Sequence, residues 1–125
     1  MPFPFEKLDV YHRALSLVDE ANKLSLTLKN NVPFSMLDQM NRAALSVPLN
    51  ISEGCGRWGA KDHIHFFRIS RGLVFELVPL IQILQKGGFI NSITYQKIYG
   101  DLQAIAQMFT GLINSLERKL PVHAT

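Results

Sequence analysis

Cysteine is nearly missing from this chain: Cys55 is the single thiol in 125 residues. That excludes an internal disulfide and suits a reducing compartment, where a lone cysteine beside apolar neighbours is expected to act as a small buried hydrophobe. Long apolar runs are missing as well. No stretch approaches about 18 uninterrupted apolar residues, which argues against a membrane span. The opening MPFPFEKLDVYH lacks the basic start and apolar run of a secretion signal, so a cytoplasmic protein is the expectation. Alternation of period two is absent over any useful length, which argues against a sheet. The chemistry-bearing patterns are sparse too. Gly54, Gly56 and Gly59 have no strand before them and no Lys-Ser/Thr after them, so they form no phosphate loop. His63 and His65 are two apart, about 200° around a helix, and no cysteine or carboxylate completes a tetrahedral metal set. No catalytic residues, metal or cofactor are assigned.

What is present is helical amphipathicity. With 47% apolar and 18% charged residues, the chain reads as one compact domain, 1–125, able to bury a real core. Four helices are predicted, over roughly 6–28, 36–57, 60–86 and 92–118. Leu8, Tyr11, Leu15, Val18 and Ala21 stripe the first. Lys29 to Phe34 breaks it, and Ser35 with Asp38 three residues on reads as the cap of the second. Pro48 and Pro79 predict kinks. The third helix stops at Gly87-Gly88, and Asn91 or Ser92 caps the fourth. In that helix Tyr95, Ile98, Leu102, Ile105, Phe109, Leu112 and Leu116 follow steps of three and four without a break. The fold class that follows is all-α, an antiparallel up-down-up-down four-helix bundle with long helices and short loops.

Two surfaces stand out. In the second helix Arg42, Ser46, Asn50, Glu53 and Arg57 lie within about an 80° arc beside the apolar face. With Arg68 and Glu76 of the third helix they form a candidate polar seam, expected to be half-buried and to hold the two helices, or two subunits, in register. A ligand or phosphate site is the competing reading. The third helix is apolar over most of its circumference, and Phe67, Val74, Phe75 and Val78 are expected to meet another subunit. The net charge of +3 is small, yet Arg57, Lys61, Arg68 and Arg71 against Asp62 account for all of it, with His63 and His65 interspersed. Arg57, Lys61, His65, Arg68 and Arg71 are therefore the candidate nucleic-acid residues, with Trp58 the one nearby aromatic suited to base stacking. An ordinary solvated helix end is the plain alternative.

The motifs Phe5-Glu6-Lys7-Leu8-Asp9-Val10-Tyr11, Arg42 through Gly54 with its Asn50-Ile51-Ser52-Glu53-Gly54 core, Phe66 through Glu76, and Gly111 through Leu116 resemble the four-helix-bundle proteins named after the 23S ribosomal RNA intervening sequence. The resemblance covers nearly the whole chain. It implies a bacterial bundle that assembles as a ring-like pentamer, related to the accessory protein of diversity-generating retroelements, which works with a reverse transcriptase and binds nucleic acid through a basic surface. Two positions depart from the family pattern: Leu73 follows Gly72 where serine is common, and Val78 replaces a polar residue after Glu76. Both make the third helix more adhesive and weaken any shared polar task for it. The combined expectation is a non-enzymatic homo-oligomeric scaffold, a pentamer by resemblance, that binds RNA or DNA without sequence preference. The alternative is an adaptor that recruits a partner enzyme by protein contact alone.

Overall fold

The structure, a computed structural model, describes residues 1–121. After a short 3-10 turn at Pro4–Lys7 come helices α1 (Asp9–Leu28), α2 (Phe34–Cys55), α3 (Ala60–Lys86) and α4 (Ser92–Arg118). Consecutive helices pack side by side and α1 also touches α4, which closes an antiparallel up-down-up-down bundle with α3 held between α2 and α4. Among the described residues no helix is long and apolar enough to cross a membrane.

Local chemistry sets the helix ends. α1 starts at Asp9, later than the periodicity predicts, because the proline-led turn before it is self-contained: the Phe3 N–H donates to the Glu6 carboxylate at 2.9 Å and Leu8 is extended. α2 starts at Phe34 with Pro33 as its cap residue, so Ser35 lies inside the first turn and makes no cap bond. It stops at Cys55, leaving Arg57 in the loop. Asn91 does cap α4, its side-chain oxygen accepting the Thr94 N–H at 2.8 Å. Gly88 adopts φ +79°, the left-handed conformation that lets α3 turn back toward α4, and the Phe89 N–H closes the turn on the Leu84 carbonyl at 2.9 Å. Both α2 and α3 continue unbroken across Pro48 and Pro79.

The core runs the length of the bundle, with Val10 and Ala14 from α1, Val47 and Ile51 from α2, Leu77 and Ile81 from α3, and Leu102 and Phe109 from α4. Phe67 and Val74 belong to it, 3% and 1% exposed, which corrects their expected place at a subunit contact. The reason is the position of α3: neighbours on two sides cover a wide arc of it, and the Phe67 ring meets Phe109 with centroids 6.1 Å apart. Of the four residues expected at a subunit contact, the two left outside the core are Phe75, 52% exposed, and the half-buried Val78. Two contacts set the α2–α3 approach. Gly54 lets Phe66 in so close that a Cβ at residue 54 would lie 2.7 Å from the Phe66 Cβ. One helical turn along, the fully buried Ser70 hydroxyl donates to the Val47 carbonyl at 3.0 Å.

Candidate functional site

The polar seam is built differently from the sequence expectation. Residues four apart on one helix face sit about 6 Å from each other, nearer than anything on the next helix, so the side chains find partners along α2. Arg42 pairs with Asp38 at 2.9 Å, the Ser46 hydroxyl donates to the Arg42 carbonyl at 2.8 Å, and Asn50 donates to the Ser46 carbonyl at 2.8 Å. Glu53 pairs with Arg57 at 2.5 Å with both side chains about half exposed, 53% and 49%. Across to α3 the contact is Gln39, which donates to Glu76 at 3.3 Å. Glu53 is therefore a surface ion pair within the subunit, and the half-buried contact expected between α2 and α3 is made instead by Gly54, Phe66 and Ser70. Ser70 was legible in principle: a small polar residue on the apolar stripe Ile64, Phe67, Val74, Leu77 marks a place where a hydroxyl must meet a backbone carbonyl.

The basic group is brought to one end of the bundle but with unequal freedom. Arg57 is tied to Glu53 and lies 5.2 Å from the Phe66 ring centroid. His63 closes the α2–α3 loop, its Nε2 2.8 Å from the Arg57 carbonyl, an arrangement in which that nitrogen carries the proton. His65 stands edge-on to Phe66. Arg68 reaches across to α4 and pairs with Glu117 at 3.1 Å. Arg71 is half-buried with its guanidinium 4.7 Å above the Phe75 ring and its Nε enclosed without a partner. Lys61 remains exposed and outside any ion pair among the described residues. Trp58 is wholly exposed, at 100%. The Arg68–Glu117 pair also shows what the linear reading missed: antiparallel topology sets the last turn of α4, with Arg118 and Lys119, beside the first turns of α3.

Elsewhere, Lys97 bonds Glu20 of α1 and Asp101 of its own helix, and these hydrogen bonds raise its pKa above the usual lysine value. Cys55 is half-buried, and burial pushes its thiol pKa up. Among the described residues no three His, Cys, Asp or Glu side chains converge as a metal set. An open apolar groove of about 320 Å³ lies between α3 and α4, lined by Val74, Phe75, Val78, Tyr99 and Ala106.

The model of the family described as 23S rRNA-intervening sequence protein matches residues 6–111. The chain belongs to that family. The matched span runs from the 3-10 turn to the last third of α4, and it contains the seam and Arg57 through Arg71. The fold is also that of a crystal structure of a protein of unknown function from the S23 ribosomal protein family of Bacteroides thetaiotaomicron, with a TM-score of 0.79 over 83% of this chain and 97% of that one at 23% identity. No curated protein matches the sequence. Arg118 and Lys119 lie beyond the matched family span.

Proposed function

We propose that this family member is a non-enzymatic, self-associating helical scaffold of the cytoplasm whose cationic end engages RNA or DNA without sequence preference. The observation that carries the reading is how charge is distributed over the outer faces. α1 presents Asp9, Arg13, Asp19 and Lys23 to solvent, as a solvated face does. α4 presents Ile93, Gln96, Gly100, Gln103, Gln107, Gly111 and Asn114, and the one charged residue among its exposed positions over that span, Lys97, is held by Glu20 and Asp101. Gly100 and Gly111 leave open space that a side chain would fill, so the subunit itself gives no packing reason for residues that each cost a helix about 1 kcal/mol relative to alanine. With Phe75 of α3, 52% exposed beside the groove it lines with α4, this is a surface a second copy covers without stranding a charge. A pentamer is the form that the family resemblance implies.

The acids a hydrolytic site would use favour this reading over an enzyme, since Glu53 faces Arg57 and Glu76 accepts from Gln39. Five copies would multiply a small net charge into a field able to attract a polyanion. The groove beside Phe75 favours a second reading, an adaptor that takes a partner protein's apolar side chain there without touching nucleic acid. Fluorescence anisotropy with labelled RNA and DNA separates the two. The scaffold reading predicts binding at low salt that weakens steeply toward physiological salt; no binding at low salt leaves the adaptor.

A further inference from the structure

We propose that the cationic end selects single-stranded nucleic acid, with Trp58 as the platform on which a base stacks and Lys61, Arg118 and Lys119 as phosphate contacts. The assignment rests on the nucleic-acid reading above and adds the kind of strand and the residues. It follows from which charges are already satisfied. Glu53 neutralises Arg57 and Glu117 neutralises Arg68, while Arg71 is half-buried over Phe75. The cations left in solvent at this end are Lys61, Arg118 and Lys119 on α3 and at the end of α4, with Lys7 of the N-terminal turn, opposed by Asp62 and by Glu6 and Asp9 at the start of the chain. The Arg68–Glu117 pair shows that the first turns of α3 and the last turn of α4 share this end.

Trp58 supplies the rest. It stands between Gly56 and Gly59 in the α2–α3 loop with its side chain entirely in solvent, contributing nothing to the core. An indole is a large apolar plane, and leaving it in water forgoes the stabilisation its burial would bring. Every nucleobase offers a face that can cover it, but in a duplex those faces are occupied by neighbouring bases. A protruding tryptophan beside cations therefore distinguishes unpaired strands from paired ones.

Trp58 is the sole tryptophan, so its fluorescence reports on the site alone. Oligouridylate and oligothymidylate of about 15 nucleotides, long enough for one site, would be titrated at low salt beside a blunt duplex of the same length and polyglutamate. Quenching by both single strands, binding to them at least about ten times tighter than to the duplex, and a loss of about 5- to 150-fold in Trp58→Ala are expected. Lys119→Gln should lower the salt slope by about 1. Trp58 is fully exposed, so its alanine variant keeps the fold. Binding without quenching, equal affinity for duplex, an unaffected Trp58→Ala, or equal quenching by polyglutamate would each overturn the stacking assignment and leave the wider nucleic-acid reading standing. Absence of binding to any of the nucleic acids would remove both.

Discussion

Ser70 and Glu53 show how burial, rather than charge, decides what a polar residue does for this fold. The Ser70 hydroxyl is fully buried and its bond to the Val47 carbonyl joins α3 to α2, whereas Glu53 and Arg57 share an ion pair that water reaches from both sides. Removing a buried hydrogen bond costs about 1 kcal/mol, and removing an exposed pair four residues apart costs a few tenths. Urea unfolding should therefore find Ser70→Ala the more destabilising change and Glu53→Ala close to neutral; the reverse order would mean that the seam is held across helices. Cys55 follows the same logic. Burial raises its pKa above the ordinary 9.0, so at pH 8 the native thiol is more fully protonated than in the unfolded chain. Maleimide labelling at pH 8 should be slower for native than for urea-unfolded protein. Because the folded pKa is the higher one, the contribution of Cys55 to stability is intact below pH 9.0 and declines as pH rises past it.

Between elements, glycines of opposite meaning make the sharpest comparison. Gly54 sits where α2 and α3 nearly touch, and a methyl there would meet the Phe66 Cβ at 2.7 Å. Gly54→Ala should lower stability by about 1–3 kcal/mol although alanine is the better helix former. Gly100→Ala has nothing within 4 Å in its own subunit, so it should raise the stability of the folded subunit by up to about 1 kcal/mol and at the same time shift any assembly toward smaller particles. Thermal melts paired with size-exclusion chromatography check both signs. The helices and their order could be read from the sequence, because steps of three and four along α1 and α4 are unbroken and the Gly87-Gly88 stop is strong. Phe67 and Val74 went astray because periodicity shows how much of a helix is apolar and says nothing about how many neighbours cover it. Lys61 was visible as one charge of the basic group, while Arg118 and Lys119 lie more than fifty residues away in sequence. Only the antiparallel return of α4 places them at the same end.

For the molecule as a whole, three parts of the surface differ in character: a charged face on α1, an end with Lys61, Arg118, Lys119 and an exposed indole, and an almost chargeless face on α4 continuing to Phe75 of α3. On the third of these, Gly100 and Gly111 lower helix stability and meet nothing within their own subunit, which is why it is the surface proposed for self-association. The proposed self-association would give that face a role and would repeat the end with Trp58 around an assembly. Native mass spectrometry of the purified chain at micromolar concentration tests this most directly. The account predicts a discrete particle at a multiple of the 14.1 kDa chain, about 70 kDa for the pentamer, with folded subunits and no slow drift to larger sizes. A single well-folded species at 14.1 kDa would contradict it.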